Sequence, residues 1–233
     1  MKKLVVLTGA GISAESGLRT FRDSDGLWEE HNVMDVASVE GWERNPKLVV
    51  DFYNARRKQL KDAEPNEAHK ILAELERDFD VRVITQNVDD LHERGGSTNV
   101  IHLHGELTKV RSVRDERLIK DIGYGEISYG QTGADGSLLR PHIVWFGEAV
   151  PMIETAASLV READIFAVIG SSLVVYPAAG LVSYMKPGTP AFLIDPNEID
   201  MRLPSNFTII KETATNGARK MRDILLQNIE GNV

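Results

Sequence analysis

The 233-residue chain contains no cysteine. That excludes disulfides, a thiol nucleophile and a thiolate metal site. No apolar run approaches the ~18 residues that cross a bilayer. The run near the start, MKKLVVL, is too short for the apolar core of a signal peptide and reads as a buried first strand. Basic residues form no block: 27 Lys and Arg stand against 35 Asp and Glu, for a net charge of −8. The chain therefore shows no nucleic-acid footprint and no membrane-surface signal, while a cationic partner such as a lysine-rich segment is tolerated. His102 and His104 make a metal pair conceivable, but the other histidines lack ligand spacing such as H-E-x-x-H. No internal repeat or low-complexity segment stands out. A cytoplasmic monomer is the expectation.

What is present is ordinary for a globular chain: 42% hydrophobic and 27% charged residues, enough for one domain or a domain with an insertion. Near-continuous apolar runs occur at Val5–Leu7, Val81–Thr85, Val100–Leu103, Ile165–Gly170 and Ala191–Asp195. Such runs suit strands covered on both faces, as in a parallel sheet. Helical spacing appears at Glu67–Phe79, Ile153–Glu162, Ala178–Met185 and Thr215–Ile229. The expected fold is α/β, a Rossmann-like open parallel sheet with helices on both faces. Two regions interrupt it. Residues 27–62 hold helical patterns without a strand, and residues 107–142 are rich in Gly, Ser, Arg and Asp. Together they are expected to form a smaller domain, leaving 1–26, 63–106 and 143–233 as the nucleotide-binding part.

Several short motifs carry chemistry. Gly9, Gly11 and Ala14 fit the G-x-G-x-x-G/A turn that lets backbone N–H groups approach a pyrophosphate. Glycine turns after strands also arise for steric reasons alone. A dehydrogenase would follow the turn with a helix and a second strand ending in an acidic residue; here Gly17-Leu18-Arg19-Thr20-Phe21-Arg22 follows instead. Thr85-Gln86-Asn87-Val88-Asp89 ends a strand, where open α/β sheets bind ligands, and supplies amide and carboxylate groups suited to ribose hydroxyls or a carboxamide. A turn capping a helix near Asp89 is the bland alternative. In His102-Leu103-His104-Gly105, strand periodicity puts both imidazoles on one face, and a histidine at a strand end can act as a base near neutral pH or simply be structural. Val144-Trp145-Phe146-Gly147-Glu148 is a sheet corner or a peptide-binding edge. Gly170-Ser171-Ser172 repeats the strand-then-small-residue pattern suited to phosphate.

Taken in order, GAGISAESGLRTFR, TQNVDDLHERGG, HLHGEL, LRPHIVWFGE, GSSLVVYPAAG and Thr213-Ala214 resemble the sirtuin family, closest in wording to bacterial members of the CobB kind. The resemblance implies an NAD-dependent protein-lysine deacylase in which NAD is consumed. The acyl oxygen attacks the nicotinamide ribose, and a base then lets the ribose 2′-oxygen attack the resulting imidate. Nicotinamide, free lysine and 2′-O-acyl-ADP-ribose are the implied products. It further implies His104 as general base, with Asn87 also catalytic. Gly9, Ala10, Gly11, Ala14, Glu15, Phe21, Arg22, Gln86, Asn87, Asp89, Gly170, Ser171, Ser172, Asp195 and Ala214 would hold the cofactor. Phe146, Gly147 and Glu148, with Val175 opposite, would pair as a strand with the substrate peptide. Tyr53 and Arg56 lie at i and i+3 of FYNARR and resemble the pair that grips a succinyl or malonyl carboxylate, which implies desuccinylase and demalonylase activity. In a generic helix Tyr53 would pack, and Arg56 and Arg57 would be solvated.

The chain departs from the family in lacking the two cysteine pairs of the structural zinc. The first would fall near Ser112 and Asp115, so no zinc is expected. Val110, Val113, Ile127 and Tyr129 suggest a small sheet held by side-chain packing instead. His102 is expected to be far more tolerant of substitution than His104. A protein mono-ADP-ribosyltransferase and a non-catalytic NAD-binding module stand as alternatives.

Overall fold

The computed structural model describes residues 1–18, 27–28, 31–198 and 202–230. The strands, in chain order, are β1 (Lys3–Thr8), β2 (Leu27–Trp28), β3 (His31–Asn32), β4 (Asp80–Thr85), β5 (Val100–His102), β6 (Gly105–Ser112), β7 (Ile119–Asp121), β8 (Leu139–Ile143), β9 (Ile165–Ile169), β10 (Ala191–Ile194) and β11 (Phe207–Ile210). The α-helices are α1 (Val33–Val36), α2 (Val39–Arg44), α3 (Pro46–Asp62), α4 (Glu67–Glu74), α5 (Leu91–Arg94), α6 (Ile153–Glu162) and α7 (Ala214–Glu230).

Six strands form a parallel sheet in the order β11-β10-β9-β1-β4-β5. Counted along the chain within this sheet, that is the doubly wound order 3-2-1-4-5-6 read from the other edge. β1 lies in the middle, and its residues alternate between two cores. Leu4 and Val6 pack with Ile71 and Leu72 of α4 and with Ala218, Met221 and Leu225 of α7. Val5 and Leu7 pack with Ala156, Ala157 and Val160 of α6 and with Leu181. Burial on both faces is why these strands are apolar throughout.

The sheet differs from the sequence expectation in three places. β11 had no strong signature, because it is an edge strand with Ile209 64% exposed and only Ile210 buried. The segment Ala178–Tyr184 is a 3-10 helix. Residues 27–62 include the short antiparallel pair β2–β3 besides their helices.

A second, antiparallel sheet, β7-β6-β8, is covered by α3. α3 starts at Pro46, where a missing N–H does no harm, and Asn45 caps it by accepting from the Leu48 N–H. Val50, Val110, Ile127 and Leu139 form a small core between helix and sheet. Val113 and Tyr129, expected in that core, are exposed. Polar ties supplement it. Arg57, which a generic helix would leave in solvent, is fully buried and donates to the carbonyls of Gly125 at 2.9 Å and Leu107 at 3.3 Å and to Asn54 Oδ1 at 2.6 Å. Desolvation lowers its pKa to about 10, against the pull of Glu126 and Tyr53. Asn54 brackets Ile127, donating to its carbonyl and accepting from its N–H. Near the expected cysteine positions, Ser112 Oγ donates to Asp135 Oδ2 at 2.6 Å and accepts from the N–H groups of Arg114 and Asp115. Among the described residues no three His, Asp or Glu side chains converge to hold a metal ion.

Candidate active site

The strand order reverses between β1 and β9, and their carboxyl ends carry the two small-residue turns. The turns touch. Gly11 N–H donates to the Gly170 carbonyl at 2.8 Å, and a Cβ at Gly11 would lie 2.6 Å from Gly170 Cα. Gly170 has φ +64, and a Cβ there would sit 2.3 Å from Ile12 N. The glycines are thus required by the approach of one turn to the other. After the turn the chain forms only two short 3-10 segments, Ala10–Ile12 and Ala14–Ser16, and Gly17 follows at φ 85. The long helix of a dehydrogenase is replaced, and the next strand of the sheet, β4, returns only after α1–α4.

One cavity of about 450 Å³ runs from these turns to α3. Every proposed site residue among the described ones lines it: Gly9, Ala10, Gly11, Ala14, Glu15, Gln86, Asn87, Asp89, Gly170, Ser171, Ser172, Asp195 and Ala214 at the sheet, His104 beside them, and Tyr53, Arg56, Phe146, Gly147, Glu148 and Val175 farther along. Phe21 and Arg22 lie outside the described residues.

The polar groups are held by one another. Gln86 donates to Ser171 Oγ at 2.9 Å. Asn87 Nδ2 donates to the Gly9 carbonyl at 3.2 Å and to Ser13 Oγ at 3.1 Å; neither bond uses Oδ1. Ser13 in turn donates to Asp89 Oδ2 at 3.0 Å. Ser13, buried to 2% exposure, is the hub that sequence reasoning missed. Its signal was its place inside the glycine turn, facing a partner far along the chain. Burial raises the Asp89 pKa, opposed by the Leu91 N–H, the Ser13 hydroxyl and the charge of His102. Glu15 accepts from the Thr215 N–H at 2.8 Å and so anchors the first turn of α7 beside Ala214.

β5 ends at His102, so His104 stands beyond the strand. His104 Nδ1 lies 3.0 Å from the Gln86 carbonyl. A carbonyl only accepts, so Nδ1 carries the proton and Nε2 is left as the basic nitrogen. Desolvation lowers the His104 pKa, the Gln86 bond opposing it, and keeps the ring neutral at pH 7.

The expected peptide-pairing strand is not a strand here: β8 stops at Ile143, and Gly147 takes φ 93 in a turn. Phe146 is already bonded through its backbone to Ala37 and Val39. The Glu148 carboxylate is engaged by Arg140 at 2.6 Å, Arg111 at 3.1 Å and the Trp145 N–H at 2.9 Å. Arg140 also lies 3.3 Å over the Trp145 ring. Trp145 Nε1 donates to Tyr53 Oη at 3.1 Å, so the phenol's own proton points away from Trp145. Sequence reasoning named Trp145 within its motif but did not supply its bond to Tyr53 or the hold of Arg140 on Glu148.

Three comparisons bear on this arrangement. The model of the Sir2 family matches residues 9–177. A Bacteroides thetaiotaomicron protein named NAD-dependent protein deacylase is 53% identical over 231 residues, covering 97% of this chain and 99% of its own length. Two solved Sir2 homologues superpose closely. One, in complex with ADP-ribose, is 38% identical with a TM-score of 0.89, covering 98% of this chain and 94% of its own. The other, in complex with NAD, is 39% identical with a TM-score of 0.88, covering 97% and 90%.

Proposed function

Because the chain belongs to the Sir2 family, we propose that it is an NAD-dependent protein-lysine deacylase that removes acetyl groups and also succinyl and malonyl groups. The observation that carries this reading is the single cavity joining the two glycine turns, His104 and the Tyr53–Arg56 pair. The donor set fits NAD: small-residue turns for the diphosphate, and amide and carboxylate groups at the end of β4 for the ribose and carboxamide. When bound, NAD would supply an activated ribose that takes the acyl group, and with one water consumed the products would be nicotinamide, free lysine and 2′-O-acyl-ADP-ribose.

The chain's own residues do the rest. Asn87, with its Nδ2 engaged by Gly9 and Ser13, presents Oδ1 to the cavity. Neutral His104 receives a proton at Nε2. The buried walls keep bulk water from the activated sugar until the acyl oxygen has attacked it. Tyr53 and Arg56 receive an acyl carboxylate, the phenol proton being turned from Trp145. Phe146, Gly147 and Val175 flank the peptide as a turn-edge contact, and Glu148 serves by anchoring that turn. The proposed division sets 27–62 with 107–142 as a small domain against the remainder, acting as a cytoplasmic monomer.

The test is turnover of matched acetyl-, succinyl- and malonyl-lysine peptides, each with and without NAD. NAD-dependent removal of all three supports the reading. Activity on acetyl-lysine alone removes the carboxylate-binding part, and activity without NAD removes the whole.

A further inference from the structure

His102 and His104 are two residues apart, yet their partners impose opposite protonation states. His104 has one acceptor, the Gln86 carbonyl. His102 has two. Its Nδ1 lies 3.1 Å from the Asn87 carbonyl, and its Nε2 lies 2.8 Å from Glu93 Oε1. A carbonyl has no proton to give. Burial would raise Glu93, but the His102 hydrogen bond and charge, with Lys109, hold it below the usual carboxylate range. Both partners are therefore acceptors only, and both ring nitrogens of His102 must carry protons. The ring is enclosed, its side chain 9% exposed. Burial pulls its pKa down, and Glu93, Glu106 and the Asn87 carbonyl outweigh that and raise it. The charged and titratable groups around it are Glu93 and His92 on α5, Glu106 and Lys109 at β6, and Asp89 in the preceding loop. Buried His92 is kept neutral chiefly by desolvation, with the charge of His102 adding to the effect.

We propose that His102 is a positioning residue: as an imidazolium tied to Glu93 it clamps the backbone of Asn87 and so fixes that residue's side chain in the cavity. The two histidines hold consecutive carbonyls, Gln86 and Asn87, one as neutral base and one as cationic clamp. This rests on the deacylase reading only for the role of Asn87 toward NAD. The proposal also has a pH signature. Above the raised His102 pKa the ring keeps one N–H and must release either Asn87 or Glu93, so NAD use declines on the alkaline side.

The experiment compares wild type, His102→Leu, His102→Asn and Glu93→Gln. It measures NAD affinity by calorimetry and kcat/KM for NAD from mildly acidic to alkaline pH. His102→Leu should lose roughly 10–150-fold in both, the range for a hydrogen bond from a charged donor. His102→Asn places an amide N–H where Nδ1–H stood; it should restore most of the loss and abolish the alkaline decline. Glu93→Gln can donate to Nε2, so a neutral ring keeps its Asn87 bond and the alkaline decline again disappears. If His102→Leu does not fold, the other two variants decide. An alkaline decline that persists in both, or a His102→Asn protein as weak as His102→Leu, overturns the proposal. A wild type that binds NAD in this order of affinities but deacylates nothing overturns the deacylase reading and leaves the clamp standing.

Discussion

Replacing Arg56 with Met separates acyl recognition from everything else the site does. Arg56 sits one helical turn after Tyr53 on α3, is 8% exposed, and lines the same cavity. Its Nη1 donates to Gln59 Oε1 at 3.1 Å, which holds the guanidinium on that side of the helix. Met keeps an unbranched apolar stem of similar reach, so the packing of α3 survives. What is lost is a charge-assisted bond to an acyl carboxylate in a site with little water. A hydrogen bond to a charged group contributes about 1.5–3 kcal/mol. That translates to roughly a 10–150-fold fall in kcat/KM on succinyl-lysine. Acetyl-lysine has no carboxylate, so its kcat/KM should fall far less. The assay is steady-state deacylation of acetyl- and succinyl-lysine peptides of one sequence at saturating NAD, and the readout is the ratio of the two losses. Tyr53→Phe should shift the ratio in the same direction by a smaller factor, because the phenol is a neutral donor whereas the guanidinium carries a charge. Equal losses on both peptides would show that Arg56 supports α3 and recognises nothing.

Three further outcomes follow from the same structure. His104→Ala should fold and bind NAD but lose deacylation by at least the roughly 10²–10⁴-fold of general-base catalysis; near-normal turnover by a folded variant would refute the assignment. The protein should purify without stoichiometric zinc and stay active in strong chelator, since Ser112, Asp135 and Arg57 tie the small sheet without metal; elemental analysis giving one zinc per chain would contradict this. His69 is fully buried, and desolvation lowers its pKa from 6.5 to about 4. A base with a depressed folded pKa contributes stability that is complete above 6.5 and is lost as pH falls toward about 4. That difference corresponds to about 3 kcal/mol. Denaturant titrations should show the decline across that window, and a His69→Phe protein with an unchanged pH profile would refute the cause.

The parallel strands were legible because burial on both faces demands unbroken apolar runs, as in Val5–Leu7 and Ile165–Ile169. β11 was not, since an edge strand with one buried residue has no such demand. The cavity lining at the sheet was legible because those residues end a strand or follow one in a motif of fixed order, whereas Tyr53 and Arg56 were found by their i, i+3 spacing on α3. What Ser13, Trp145 and Arg140 hold in place was not. Their roles arise only when segments far apart meet, as in the 3.1 Å bond from Trp145 to Tyr53. The burial of Arg57 was hidden for a related reason: sequence gives a charged side chain on a helix, and only the fold supplies the carbonyls of Gly125 and Leu107 that let it be buried. His102 and His104 are alike in sequence and differ only in what their second nitrogen faces.

The central claim is acyl transfer from lysine to ADP-ribose, and mass spectrometry of the products from one acetyl-lysine peptide and NAD tests it most directly. The account predicts free-lysine peptide, nicotinamide and 2′-O-acetyl-ADP-ribose in equal amounts. A peptide that keeps its acetyl group and gains ADP-ribose would contradict it.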